Sequence, residues 1–93
     1  MQKNAVQAAS FLKLLSNPSR LLVLCQLVDG ERSVGELETY LDISQSALSQ
    51  HLARLRAEGL VSTRKDGQTV NYSIKDAKVL KVLELIYAMY CRK

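Results

Sequence analysis

The sequence predicts a single mainly α domain with a small β-hairpin, in the order α-α-α-α-β-β-α. Three observations carry that prediction. Apolar residues recur at helical spacing along most of the chain, as at Leu48, Leu52 and Leu55. The period then switches to short β-prone runs around Asp66-Gly67 and switches back. Finally, 93 residues, 47% apolar and 24% charged, suffice for one globular core and leave no room for a second.

Each element has its own signal. From Asn4 to Leu15 the residues Ala5, Val6, Ala8, Ala9, Phe11, Leu12, Leu14 and Leu15 suggest a helix that is apolar on more than one face. Asn17-Pro18 restarts the chain, Asn as an N-cap and Pro at the first helical position. The second helix runs through Val28 to Asp29-Gly30, where Gly supplies the C-terminal turn. Ser33-Val34-Gly35-Glu36 is a capping box opening a short helix to about Leu41. After Asp42-Ile43, Ser44 caps a fourth helix that Gly59 stops. Leu60–Lys65 and Thr69–Ile74 form the hairpin. A last helix spans Asp76 to Cys91, with Lys78, Lys81 and Glu84 on one narrow stripe. Two helices joined by a tight turn and followed by a hairpin make a winged helix-turn-helix, its core pair at Val34–Leu41 and Ser44–Glu58.

Composition narrows the function classes. Thirteen Lys and Arg against nine Asp and Glu give a net charge of +4, which suits an anionic partner. One His (His51), no Gly-rich phosphate loop and no hydrolase spacing argue against an enzyme and imply no cofactor. No apolar run approaches the roughly 18 residues of a membrane span. The first residues, Met1-Gln2-Lys3-Asn4, have no signal-peptide pattern, so a cytoplasmic protein without membrane contact is expected. Cys25 and Cys91 stand 66 positions apart with no CxxC, a pattern unlike a disulfide scaffold.

The fourth helix carries the functional signal. With its Leu stripe turned inward, Ser44, Gln45, Ser46, Ser49, Gln50 and Arg54 are left facing outward. Gln bonds an adenine edge bidentately, Ser reaches a base or phosphate, and a helix N-terminus favours a phosphate. Arg54, Arg56, Arg64 and Lys65, with Gln68 at the hairpin tip, flank this surface and would attract a DNA backbone. On an isolated helix such a face reads as ordinary solvated surface; beside a hairpin with basic shoulders it reads as a contact for double-stranded DNA in the major groove. His51, one step from that face, is expected to be structural or backbone-contacting.

A last helix apolar nearly all round needs cover on two sides. The chain's own body supplies one; a second copy, with the apolar first helix alongside, supplies the other. A twofold dimer also presents two recognition helices to a palindromic site. Residues 1–93 are thus expected to form one DNA-binding domain whose first and last helices make a homodimer interface. A bulky charge at Leu83 is expected to split it.

The run LSNPSRLLVLCQLVDGERSVGELETYLDISQSALSQHLARLRAEGLVSTRKDGQTVNYSI resembles the ArsR/SmtB family of bacterial dimeric repressors. Ser44–Leu52 and Leu55–Val61 carry the most specific part of that resemblance. It implies that Gln45, Ser46, Ser49 and Gln50 read operator DNA, that Arg64 to Gln68 form the wing, and that the first and last helices dimerise. The sequence departs from the metal-sensing members: residues Val34 to Leu41 contain no Cys and the last helix no His. One Cys in the second helix and one at the end of the last is similar to the two-cysteine BigR/SqrR/HlyU-like branch. That likeness implies a Cys25–Cys91 dithiol sensing reactive sulfur species or oxidants, with release of operator DNA. Two alternatives stay open. The thiols could bind a thiophilic ion such as As(III), Sb(III), Cd(II) or Zn(II) with a further donor, or they could be inert in a constitutive anti-silencer. Cys25, among Leu21, Leu22, Leu24 and Val28, also suits a small core hydrophobe.

Overall fold

A computed structural model describes residues 2–90. The elements are α1 (Gln2–Leu15), α2 (Pro18–Gln26), β1 (Arg32–Ser33), α3 (Val34–Tyr40), α4 (Gln45–Ala57), β2 (Val61–Asp66), β3 (Thr69–Ile74) and α5 (Ala77–Tyr90). All five helices and the hairpin stand where the sequence puts them, in a winged helix-turn-helix.

The junctions follow from local hydrogen bonding. The Asn17 side chain accepts the Arg20 N–H at 3.1 Å, with Pro18 opening α2. Arg20 also turns back on α1: its Nε donates to the Leu14 carbonyl at 2.7 Å and an Nη to the Lys13 carbonyl at 3.3 Å. The last carbonyls of α1 therefore have a cationic partner, as a helix C-terminus favours. The capping box is complete, Glu36 N–H to Ser33 Oγ at 3.1 Å and Ser33 N–H to Glu36 Oε1 at 2.9 Å.

Helix α4 ends in a Schellman motif: Leu60 N–H reaches the Leu55 carbonyl at 2.9 Å and Gly59 N–H the Arg56 carbonyl at 3.0 Å. Gly59 occupies the left-handed position, φ +80°. That turn aims the chain from the recognition helix directly into β2. At α5, the Asp76 carboxylate accepts the Lys78 N–H at 2.9 Å.

Three details depart from expectation. Helix α2 ends at Gln26, two residues early, because Leu27 N–H already bonds the Leu24 carbonyl at 3.0 Å in a tightened last turn. The hairpin gains a third strand: Arg32 and Ser33 pair with Tyr72 and Asn71, giving the order β1-β3-β2. Two residues are too short to leave a periodic signal, and only pairing with β3 defines them. Finally, Asp66 pairs with Thr69, so the loop narrows from Asp66-Gly67-Gln68 to Gly67-Gln68. A positive φ at Gly67 (+64°) and not at Gln68 is the sign pattern of a type II′ turn.

The core is aliphatic. Leu48, Leu52 and Leu55 of α4 are buried with Val23 and Leu24 of α2, Leu37 of α3, Val61 of β2 and Val79 of α5. Helix α1 contributes only Leu14 and Leu15 as buried residues. Leu83 requires a correction: at 3% exposure it belongs to the chain's own core and cannot face a partner. On the first and last helices the large apolar residues left outside are Val6 and Leu12 of α1, and Leu85, Tyr87, Met89 and Tyr90 of α5. No helix among the described residues is long and apolar enough to cross a membrane.

Candidate nucleic-acid interface

The stripe Leu48, Leu52 and Leu55 fixes the rotation of α4, and everything else about its surface follows. Gln45, Ser46, Ser49, Gln50 and Arg54 are all exposed, brought together on the outer side of one rigid helix. Ser44 has a structural duty first: its Oγ accepts the Ala47 N–H at 3.2 Å and lies 3.4 Å from the Ser46 hydroxyl. The cap leaves the first-turn amides of α4 near an exposed surface, where a phosphate is favoured. Arg56 stands apart from Arg54, lining an open cleft of about 460 Å3 with Val34, Ser49, Leu52, Ala53 and Tyr72.

The wing is less uniform than its sequence suggests. Arg64 and Lys65 are both exposed on β2, but successive residues of a strand point to opposite faces. Gln68 is exposed in the loop. Arg64 is already engaged, its guanidinium forked onto Glu31 with the shortest contact at 2.8 Å. The hydrogen bond between them holds the Glu31 carboxyl below its usual range and raises Arg64 further. Nothing in the sequence marked Glu31, because a loop residue 33 positions away meets Arg64 only through the fold.

His51 is half-buried, and burial, then the charge of Arg20, pushes its imidazole below the ordinary value of 6.5. This suits a structural role. The unfolded chain binds the His51 proton more readily, so stability is full above 6.5 and declines as pH falls from there through the depressed folded value. Thermal unfolding across that window should lose this part of its pH dependence in His51→Gln; an unchanged profile would assign it to other groups.

The two cysteines part company in the description. Cys91 lies outside the described residues. Cys25 is exposed at the end of α2, so it is not a core hydrophobe; Val23 and Leu24 take the inward positions. It lines a cleft of about 540 Å3 with Val28, Asp29, Leu83, Glu84 and Tyr87, which joins the end of α2 to α5. Glu84 and Tyr87 are three apart on α5, one helix face, a spacing the sequence could have offered once Cys25 was set opposite. No group of three or more His, Cys, Asp and Glu among the described residues could hold a metal ion.

Comparison with known proteins places these features in context. A family model for bacterial regulatory proteins of the arsR family matches residues 17–63, from the cap of α2 into β2. The transcriptional activator HlyU of Vibrio cholerae is 51% identical over 92 residues, covering 99% of this chain and 85% of that one. The biofilm growth-associated repressor of Agrobacterium fabrum is 44% identical over 91 residues, covering 98% and 78%. Among solved structures, reduced HlyU from Vibrio cholerae superposes with a TM-score of 0.93 at 51% identity, covering 99% and 97% of the two chains. The repressor BigR from Xylella fastidiosa gives 0.92 at 42% identity, covering 100% and 95%.

Proposed function

The chain belongs to the arsR family of bacterial regulatory proteins, and from that premise we propose that it is a homodimeric repressor which leaves its operator when Cys25 and Cys91 react with a persulfide. Membership makes it a DNA-binding transcriptional regulator rather than an enzyme. The proposal adds the assembly, the contact residues and the inducer.

The observation that carries the inducer is the position of Cys25, exposed in a cleft whose far wall is α5. Tyr87 of α5 lines that cleft, and Cys91 follows it four positions later in the sequence. That a similar solved protein is described as reduced HlyU is consistent with thiol chemistry in that relative.

The steps balance. A cysteine thiolate takes the outer sulfur of glutathione persulfide, and glutathione leaves as its thiolate. The second cysteine thiolate attacks the inner sulfur of the new persulfide, expels hydrosulfide and closes a disulfide. Where both cysteines already carry a sulfur, one persulfide attacks the other, hydrosulfide again leaves, and a trisulfide closes. The longer bridge relaxes the Cα separation of about 4.4–6.8 Å that a direct disulfide needs. Either bridge ties the end of α2 to the residue that follows α5 in sequence.

Anaerobic intact-mass analysis after glutathione persulfide treatment, with operator binding followed in parallel, tests this reading. Bridged cysteines together with lost DNA binding are expected. Unmodified thiols with DNA binding intact would remove the sulfur sensor. The thiophilic-ion alternative would need Cys91 and a further donor, because no group of three or more His, Cys, Asp and Glu among the described residues could hold an ion. Stoichiometric uptake of Zn(II), Cd(II) or As(III) by the reduced protein would favour it.

For DNA, the exposed face of α4 beside the wing supports base readout by Gln45, Ser46, Ser49 and Gln50, with Arg54, Arg64, Lys65 and Gln68 on the backbone. Gln50→Ala should cost about 1–3 kcal/mol on the preferred operator and relax preference at one base pair. Equal losses on operator and mixed-sequence DNA would take Gln50 out of base readout.

A further inference from the structure

Glu31 lies between α2 and β1 and belongs to neither helix of the helix-turn-helix, yet it closes on the wing. Arg64 Nε donates to Glu31 Oε2 at 2.9 Å and to Oε1 at 3.2 Å, and an Nη donates to Oε1 at 2.8 Å. This is the two-point fork that makes an Arg–carboxylate pair geometrically specific. The Arg64 side chain is still 57% exposed and that of Glu31 38%. The pair thus stands in water on the wing, on the surface read above as meeting the DNA backbone. Guanidinium donors beyond this edge remain available.

We propose that Glu31 is a positioning residue for the wing: it holds and neutralises Arg64 in the free protein, Arg64 exchanges the carboxylate for a DNA phosphate on binding, and Glu31 thereby sets how tightly the wing grips any duplex. The inference rests on the wing reading of the proposed function. An exposed ion pair is weak in water and screened by salt, so a phosphate can displace it. After the exchange the released carboxylate faces a polyanion, a like-charge contact that opposes binding. Both effects weaken the complex, and both vanish when Glu31 loses its charge. Asp66 is the other acidic group acting on Arg64, two residues along β2 and on the same strand face, but without the fork.

The test is fluorescence anisotropy with a labelled mixed-sequence DNA duplex across a salt titration. The proteins compared are wild type, Glu31→Gln, Glu31→Ala, Arg64→Ala, the Glu31→Gln/Arg64→Ala double variant and Asp66→Asn. Glu31→Gln is expected to bind about two- to fivefold tighter, the range of an exposed pair. Its plot of log affinity against log salt should steepen by less than the roughly 0.9 of a whole phosphate contact, because no freed carboxylate recaptures a cation. The gain should disappear in the Arg64→Ala background and be smaller in Asp66→Asn. Glu31→Ala should reproduce it, and thermal unfolding should barely move because both partners are exposed.

Unchanged affinity in Glu31→Gln, or an equal gain with and without Arg64, overturns the proposal; the second result would make Glu31 a general negative charge. Arg64→Ala with wild-type affinity and salt slope overturns the wing reading beneath it.

Discussion

Leu85→Glu should yield a folded single chain that no longer holds its operator. Leu85 is 60% exposed on α5, and Met89, four residues on, continues an apolar surface that the chain's own core leaves uncovered. Val79 and Leu83, on the other side of the helix, fill that core. A carboxylate at position 85 would lie unpaired against a partner's apolar surface, at a cost that association cannot offset. Sedimentation should report one chain in place of two. Operator affinity should fall by about 10²–10⁴-fold, the factor gained when two linked modules bind together. Thermal unfolding should persist, because no core residue changes. Leu83→Glu behaves differently, burying its charge inside the chain and unfolding it. A Leu85→Glu protein that still sediments as a dimer would remove this face of α5 from the interface.

Cys25→Ser should keep operator affinity and abolish the response to glutathione persulfide. Serine is close to cysteine in size, and the position is exposed, so the fold loses nothing that DNA binding needs. Wild type should lose operator affinity by about 5–150-fold after persulfide treatment, the usual size of a coupling between two sites. Cys25→Ser should lose none. Cys91→Ser separates the steps, since added sulfur on Cys25 without a bridge would show that the first transfer needs only one thiol. Full release of Cys25→Ser from DNA by persulfide would send the sensing chemistry elsewhere in the molecule.

The local architecture was legible because its signals are local. Asn17-Pro18, the Ser33–Glu36 box, Ser44 and Gly59 each set a helix boundary through bonds spanning a few residues, and each operates in the structure. The Leu48, Leu52, Leu55 stripe fixed which side of α4 turns outward, and with it the candidate base-contacting residues. Family membership was legible for the same reason, since residues 17–63 carry it in one continuous run.

What tertiary structure alone decided involves partners distant in sequence. Strand β1 exists only because Arg32 and Ser33 meet β3, and the hairpin loop is one residue shorter because Asp66 found Thr69 across the ladder. Leu83 looked like one more apolar residue on an apolar helix; packing against the rest of the chain turned it inward and left Leu85 outside. Cys25 sits one residue from a buried Leu24, and the 100° between helix neighbours separates a core position from a cleft. Glu31 and Arg64 carry no shared pattern, and their fork depends on the loop after α2 reaching the wing. Periodicity and capping are encoded in short windows of sequence, whereas burial and ion pairing depend on which surfaces the folded chain brings together.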